Sequence, residues 1–276
     1  KKTVALHVKR IVQQAQRIGL LAQLEEMLLA KDSNAMVESL SGSKKRTIHV
    51  EKLIDAAWAG GPKSQECSLY LTEGDSARTF VVSGLGKIGP KTNGVFPLRG
   101  KLLNTYSASN AQIQTNKEIT NIVKILGLSV SKKQTLRYGR VVILTDADVD
   151  GFHIMGLLLA FFQKFFPNLL KNGFVQRMIT PVIVATSATN KREFFSVPDF
   201  NRWFKTTNNA NNRYKIRYLK GLGSSTREEA VSYFSNIQRY LKNIVVAVCY
   251  TNLRAHETVL DLVCSFLLDK KKIPST

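Results

Sequence analysis

The chain has 276 residues, enough for one large domain or two modest ones, and 44% of them are hydrophobic, which is enough for a packed core. Forty Lys and Arg residues against twenty Asp and Glu residues leave a formal charge of +20. This excess favours a polyanionic partner, although a basic solvated surface would give the same total. The longest apolar stretch, Ile154 to Phe162, is far shorter than the ~20 residues of a membrane-spanning helix, so no membrane partner is expected.

The three cysteines, Cys67, Cys249 and Cys264, are odd in number, and their spacing does not match a zinc site. The four histidines lie apart from them in the sequence. The basic N-terminal stretch lacks the continuous apolar run of a signal peptide. These features predict reduced thiols in an intracellular protein and no His/Cys metal site.

The first third of the chain divides into a helix, a linker and a strand. Apolar residues at three- and four-residue steps predict a helix over residues 1–31, and the polar, turn-rich residues 32–66 predict a connecting segment. Residues 68–71 predict a short strand that Gly74 ends. The glycines of residues 83–94 then predict a loop.

The middle of the chain alternates between helices and strands. Thr115 and Glu118 predict a capping box for a helix that ends at Gly127. The unbroken β-branched run at residues 141–144 predicts a parallel strand buried on both faces. An amphipathic helix follows, kinked or restarted at Pro167 and ended by Gly173, and residues 174–186 predict a further strand.

This order predicts an α/β fold: a mostly parallel sheet flanked by helices, with an N-terminal helical segment and a partial α+β C-terminal subdomain. The expected boundaries are a helical linker over residues 1–65, a central α/β domain over residues 66–185, and an incomplete second subdomain over residues 186–276. A helical stretch is expected from Arg227 to Leu241.

The acidic residues fall where two predicted strands end. Glu73 follows the first strand, and Asp146, Asp148 and Asp150 follow the second. Ligands of open parallel sheets bind beyond the carboxyl ends of the strands. Residues two apart in an extended chain project to one side, so the three aspartates are expected to point into one volume. If the two strands are neighbours, Glu73 faces that volume.

Four crowded carboxylates resist ionisation unless a cation neutralises them. A ligand set made only of oxygen suits Mg²⁺, and Mg²⁺ in a strongly basic chain indicates phosphodiester chemistry on nucleic acid. Two alternatives are a solvated turn and an EF-hand loop. The EF-hand is disfavoured because its twelfth position would be Leu157 instead of Glu, and because a strand precedes the acids.

Two further motifs combine glycine with basic residues. In PLRGKLLN, Gly100 permits close backbone approach, and Arg99 and Lys101 supply charge for phosphate; a surface loop with two solvated cations is the alternative. In KGLGSST, Lys220 and the glycines could form a phosphate nest, but a plain turn before a helix start at Thr226 explains the pattern equally well.

Six motifs in order, LTEGDSA, FPLRGKLLN, KILGL, TLRYG, ILTDADVDGFHI and YLKGLGSST, resemble those of type IIA DNA topoisomerases. The resemblance runs from about residue 60 to residue 234 and covers the TOPRIM region of the cleavage core. Three of the motifs, PLRGKLLN, KILGL and TLRYG, are close in sequence to those of the eukaryotic enzyme, whereas DADVD is closer to the motif of bacterial gyrase. A large DNA virus is one source that such a mixture suggests.

The resemblance implies a role for each matching residue. Glu73 matches the acid that binds the catalytic metal and moves protons, Asp146 the acid shared by two metal positions, and Asp148 the ligand of the second metal. Asp150 matches a supporting third acid. The implied DNA contacts, by position or by charge, are Arg99, Lys101, Asn104 and Lys220.

The resemblance also implies an activity and partners. The family breaks, passes and religates double-stranded DNA in an ATP-dependent way, as a homodimer. It implies Mg²⁺ at up to two sites, with Mn²⁺ or Ca²⁺ as substitutes. ATP, the winged-helix tyrosine and its arginine belong to other parts of the polypeptide, so this chain alone is expected to be inactive.

The whole enzyme is expected in the nucleus, or in the host cytoplasm or nucleus if viral. Two rival functions remain open, a TOPRIM nuclease or primase-like enzyme and a non-enzymatic nucleic-acid-binding module.

Overall fold

The computed structural model describes residues 35, 48–129, 136–207 and 213–244. The helix predicted over residues 1–31, most of the linker, Cys249 and Cys264 lie outside these ranges. Within them, Cys67 is buried with a free thiol, and no helix has the length and apolar character needed to cross a membrane.

A five-stranded sheet forms the centre of the molecule. Its strands are β1 (Ser68–Glu73), β2 (Asn93–Leu98), β3 (Arg140–Leu144), β4 (Val175–Met178) and β8 (Leu241–Asn243). Their order in the sheet is β2-β1-β3-β4-β8. Neighbours among β1 to β4 run parallel, and β8 is antiparallel to β4. The predicted α/β architecture with a mostly parallel sheet is therefore confirmed.

Helices cover both faces of the sheet. The described helices are α1 (Gly74–Ile88), α2 (Asn110–Thr115), α3 (Lys117–Leu126), α4 (Val149–Phe165), α5 (Pro167–Lys171), α6 (Val197–Thr206), α7 (Arg227–Ser235) and α8 (Ile237–Tyr240), with 3₁₀ turns at Ser64–Glu66 and Leu222–Ser224. One apolar cluster joins α3 and α4 to the sheet, and a second joins α1 and α7 to the other face.

The alternation of side chains along β3 shows why its sequence is apolar throughout. Val141 and Ile143 belong to the first cluster, whereas Val142 and Leu144 belong to the second. All four side chains are fully buried. Because each face of the strand packs against helices, no position tolerates a polar side chain, and the predicted strand buried on both faces is confirmed.

The expected strand over residues 174–186 is two strands in different sheets. β4 lies in the central sheet, whereas β5 (Ile183–Thr186) is the middle strand of a three-stranded antiparallel sheet with β6 (Lys191–Phe194) and β7 (Lys215–Tyr218). Pro181 lies between the two strands and has no backbone N–H for a ladder. The prediction of one continuous strand was wrong because it overlooked this break.

The chain returns to the central sheet after the small one. Of the predicted helix from Arg227 to Leu241, α7 and α8 are helical, with a break at Asn236, and Leu241 already belongs to β8. Phe234 of α7 packs against Phe80 of α1, with ring centroids 5.8 Å apart. The domain boundary at residues 185–186 stays a prediction.

Part of the loop predicted over residues 83–94 is helix and strand. Its first six residues complete α1, and its last two begin β2. β2 is an edge strand of the sheet, which is where Pro97 is tolerated. The prediction was wrong because it took glycine as a loop signal, whereas Gly84 lies inside α1 against the ring of Phe234.

The helix ends are set by local side chains. The predicted capping box at Thr115 was wrong, because the neighbouring Asn116 caps α3 by accepting a hydrogen bond from the Ile119 amide. Gly127 ends that helix in the left-handed region, at φ 66°, as predicted. Pro167 restarts a helix as its first residue and Gly173, with φ 73°, follows it, which confirms both predictions.

Two glycines of α1 should respond in opposite ways to alanine. At Gly84 a Cβ atom would lie 2.1 Å from Cδ2 of the buried Phe234, whereas at Gly86 it would meet nothing within 4 Å. Gly84→Ala should therefore destabilise the fold by roughly 1–3 kcal/mol through overpacking. Gly86→Ala should stabilise it by about 0.5–1 kcal/mol through helix propensity. Urea denaturation of both variants tests this, and equal effects would contradict the packing described for Gly84.

Candidate metal centre

The acidic edge of the sheet is built by two neighbouring parallel strands. β1 and β3 are paired in register, with Thr72 opposite Leu144, so both chains leave the sheet at the same edge. Glu73 ends β1, and Asp146 follows β3 by two residues. The amide of Asp146 donates a hydrogen bond to Oε2 of Glu73 at 3.3 Å. The expectation that Glu73 faces the aspartate segment is therefore confirmed.

Asp146 is held from two directions. Its own backbone is tied to Glu73, and its Oδ1 atom accepts a hydrogen bond of 2.9 Å from the Leu222 amide. The Cα atom of Gly221 approaches the same carboxylate so closely that a Cβ atom there would lie 2.4 Å from Oδ2. Asp146 is half-buried. Sequence reasoning missed this contact, because the two segments are 76 residues apart.

Asp148 and Asp150 belong to the start of α4 and not to an extended strand. Asp148 is the N-cap of α4, and its Oδ1 atom accepts a hydrogen bond of 2.8 Å from the Gly151 amide. Asp150 lies in the first helical turn, and its Oδ1 atom is 2.8 Å from Nζ of Lys101. The chain is helical from Val149, so the alternation of an extended chain does not reach Asp150, and its place in the metal site stays a prediction.

The four carboxylates nevertheless share one electrostatic environment. Burial raises the pKa of Glu73, and the negative charges of Asp146, Asp148 and Asp150 raise it further, against the lowering effect of the Asp146 amide. The Lys101 ammonium holds the pKa of Asp150 below its ordinary value. Glu73 therefore ionises less readily than an ordinary glutamate, first because it is buried and then because other carboxylates lie near it.

The donor set fits a hard divalent cation, although the acids do not already converge on one point. Across residues 48–129, 136–207 and 213–244, no three carboxylate, imidazole or thiol groups are placed to share one ion. Each acid instead has a hydrogen bond or ion pair of its own, as described above. Carboxylate oxygen is the ligand of Mg²⁺, which keeps several waters and takes only one or two carboxylates directly. Such a site does not need three converging acids.

The residues predicted to contact DNA lie at different places on this edge. Lys101 follows β2 and reaches Asp150, and the exposed Lys220 is adjacent to Gly221. Arg99 is 2.6 Å from Oε1 of Glu51. Asn104 accepts a hydrogen bond from the Tyr106 amide at 3.1 Å, which stabilises the turn after β2. The structure therefore brings Lys101 and Lys220 beside the acids, whereas Arg99 and Asn104 have local partners.

Two family models match consecutive parts of the chain. The Toprim domain matches residues 68–181, and the C-terminal associated domain of TOPRIM matches residues 178–255. The mitochondrial DNA topoisomerase 2 of Dictyostelium discoideum is 45% identical over 225 residues, which is 77% of this chain and 18% of that protein. Human DNA topoisomerase 2-beta is 49% identical over 198 residues, 69% of this chain and 12% of that protein.

The chain contains a Toprim domain followed by the C-terminal associated domain of TOPRIM, and over this region it is similar to type II DNA topoisomerases.

A solved structure shows the same relation. The DNA-binding, cleavage and re-ligation domain of Plasmodium falciparum topoisomerase II superposes with a TM-score of 0.67 at 44% identity, over 71% of this chain and 28% of that chain. The chain spans less than a fifth of the two curated relatives named above. The Toprim match at residues 68–181 spans β1 to β4 of the central sheet, whose acidic edge carries the candidate metal centre.

The TLRYG motif of this Toprim chain has a structural role. Arg137 is 5% exposed and donates a hydrogen bond to the Ile125 carbonyl at 2.9 Å, and its guanidinium also pairs with Asp55. The Tyr138 hydroxyl donates to Asp55 and accepts a hydrogen bond from the Ala56 amide at 3.0 Å. These contacts join the segment before β1 to the segment before β3, at the edge of the sheet opposite the acids.

The KGLGSST motif of the Toprim chain includes the start of α7 and a contact to the acidic edge of the sheet. Thr226 is the N-cap of α7 in a capping box with Glu229, which confirms the predicted helix start. The Leu222 amide donates a hydrogen bond to Asp146. The hypothesis of a phosphate nest at Lys220 and the glycines stays a prediction.

Proposed function

We propose that this chain supplies the metal-binding half of the DNA cleavage site of a type II topoisomerase. In the whole protein the activity would be ATP-dependent breakage, passage and religation of double-stranded DNA. One observation carries the proposal: Glu73 and Asp146 are joined at the carboxyl ends of adjacent parallel strands, in a chain with a net charge of +20. Acids in so basic a chain would repel phosphate unless a cation lay between them.

Glu73, Asp146 and Asp148 are the proposed metal ligands, and Asp150 supports them from the first turn of α4. Bound Mg²⁺ would stabilise negative charge on the oxygens of the scissile phosphodiester. A second role for Glu73, moving protons at the reacting phosphate, belongs to the proposal because the family resemblance implies it. A tyrosine outside this chain would be the nucleophile.

The proposal also names the binding partners of the acidic edge of the sheet. Lys101 and Lys220 would contact DNA phosphates, with Arg99 and Asn104 further along the same face. The ATPase and winged-helix parts of the same polypeptide and a second copy of it would complete the enzyme, with Mn²⁺ or Ca²⁺ able to replace Mg²⁺. The compartment would be intracellular, with the nucleus the first choice and the host cytoplasm or nucleus if the source is viral.

Metal dependence of DNA binding tests the proposal. The affinity of the 276-residue chain for a short DNA duplex, measured by fluorescence anisotropy, should be higher with Mg²⁺ than with EDTA, because the ion neutralises the acids that face the phosphates. Equal affinities would indicate a basic DNA-binding module without a metal function. Metal-dependent nicking of plasmid by the pure chain would indicate a Toprim nuclease.

The same titrations should show binding that is electrostatic and nearly independent of DNA sequence. Log affinity is expected to fall linearly with log salt, by about 0.9 for each phosphate contacted. Lys101→Ala should lower that slope by roughly one unit, because the surface ion pair with Asp150 is weak enough to be exchanged for a phosphate.

Lys171→Ala is the matched control for this prediction. Lys171 is exposed and lies before β4, at the opposite edge of the sheet from the acids. Its substitution removes the same charge from the chain and should leave the slope unchanged. Equal slopes for the two variants would contradict a phosphate contact at Lys101.

A further inference from the structure

We propose that the loop between β7 and α7 is a positioning element of the metal centre. Gly221 and Leu222 would hold the Asp146 carboxylate so that one oxygen is fixed and the other is left open for a divalent cation. This inference rests on the proposed function and adds residues that lie outside the acidic motifs.

The fixed oxygen is Oδ1 of Asp146. The Leu222 amide donates to it at 2.9 Å, a distance typical of a good hydrogen bond. The donor is a backbone amide, which has no side-chain rotamers. The orientation of the carboxylate is therefore as rigid as the backbone of the loop. Ligands that are oriented by a hydrogen-bond partner bind metal more tightly than free ones.

The open oxygen is Oδ2 of Asp146, and Gly221 is what leaves it open. A Cβ atom at residue 221 would lie 2.4 Å from Oδ2 and 2.8 Å from the carboxylate carbon. The backbone of Gly221 is fully extended, with φ 179° and ψ 177°, a conformation that any residue adopts. Glycine is therefore required here for space beside the carboxylate and not for backbone conformation.

The loop is anchored on both sides of the contact. The Leu219 amide donates to the Val182 carbonyl at 2.8 Å, which ties the loop to the strand end of the small sheet. Leu222 is 2% exposed within the core under α1 and α7, and Thr226 caps α7. A methyl group at residue 221 should therefore displace the Asp146 side chain instead of the loop.

The test compares two glycines of the same loop. At Gly223 a Cβ atom would make an ordinary contact of 3.6 Å with Cβ of Ser76, so Gly223→Ala is the matched control for Gly221→Ala. Mn²⁺ affinity of the 276-residue chain and of each variant is measured from the free-ion EPR signal. Gly221→Ala is expected to weaken binding roughly 10- to 100-fold, the usual effect of losing a partner that orients a ligand. Gly223→Ala should bind as the unchanged chain does.

The outcomes separate this inference from the proposed function. If the unchanged chain does not bind Mn²⁺, the metal centre itself is wrong, and the inference is lost with it. If the unchanged chain binds Mn²⁺ and Gly221→Ala binds equally well, the metal centre stands and the positioning role is overturned.

A thermal melt distinguishes a loss of metal binding from a loss of folding. Gly221→Ala should melt close to the unchanged chain, because the Asp146 side chain can rotate away. If Gly221→Ala instead fails to fold, the Asp146→Ala/Gly221→Ala double variant decides. A folded double variant supports the contact with the carboxylate, and an unfolded one overturns it.

Discussion

Asp146→Ala in the full-length protein should lower the rate of DNA cleavage about a thousandfold, the effect of losing several kcal/mol of charge stabilisation at the phosphate. Asp146 lies two residues beyond a strand that is buried on both faces, and it is bonded to both Glu73 and Leu222. It is therefore the acid whose position the fold fixes most firmly. Quantifying cleaved plasmid in the presence of Mg²⁺ measures the effect.

The other acids should follow in a defined order. Glu73→Ala and Asp148→Ala should also be severe, whereas Asp150→Ala should be milder, because Asp150 is exposed and paired with Lys101. Loss of a charge from a repelling cluster relieves strain, so Asp146→Ala should stay folded. If Asp146→Ala unfolds while Mg²⁺ affinity of the remaining folded protein is unchanged, Asp146 is structural and the site is wrong.

Asp55→Ala should destabilise the fold by roughly 3 kcal/mol, the lower end for removing one partner of a buried ion pair, because Arg137 is buried whereas the Asp55 side chain is 28% exposed. Asp55 accepts hydrogen bonds from the guanidinium of Arg137 and from the hydroxyl of Tyr138, and both of these side chains are buried. Without the carboxylate the Arg137 charge loses its counterion in the interior. Urea denaturation measures the change in the free energy of unfolding.

Two variants control for the chemistry and for the surface. Asp55→Asn keeps an acceptor oxygen at the same place and should lose less stability than Asp55→Ala. Glu51→Ala breaks the ion pair between Glu51 and Arg99, whose side chains are 76% and 52% exposed respectively. This substitution should change the free energy of unfolding far less than Asp55→Ala does. A similar small loss for Asp55→Ala and Glu51→Ala would contradict the buried network.

The parts of the fold that the sequence predicted are those with a strong local signal. The run Val141–Leu144 is apolar throughout and its first three residues are β-branched, a pattern typical of a strand that is covered on both faces. The acids directly after it then mark the carboxyl end of the sheet. Glu73 could be added to the site because parallel strands end at the same edge, on the condition that its strand neighbours the strand before the aspartates, and β1 does pair with β3.

The parts that could not be predicted depend on distant partners. Gly84 resembles a loop glycine until Phe234, 150 positions later, is seen to fill its place. In an extended chain, Asp150 would project to the same side as Asp148. The chain is not extended there, because Asp148 caps a helix that begins at Val149. The bond from Leu222 to Asp146 leaves no sign in either segment, because its donor is a backbone amide that every residue except proline has.

The most direct test of the metal centre is a crystal structure of this chain soaked in Mn²⁺, with anomalous diffraction data. We expect an anomalous peak at the carboxyl ends of β1 and β3, within bonding distance of carboxylate oxygens of Glu73 and Asp146. The same peak should be absent from crystals of Asp146→Ala. Peaks confined to other parts of the surface, with Glu73 and Asp146 still bonded only to protein atoms at saturating Mn²⁺, would contradict it.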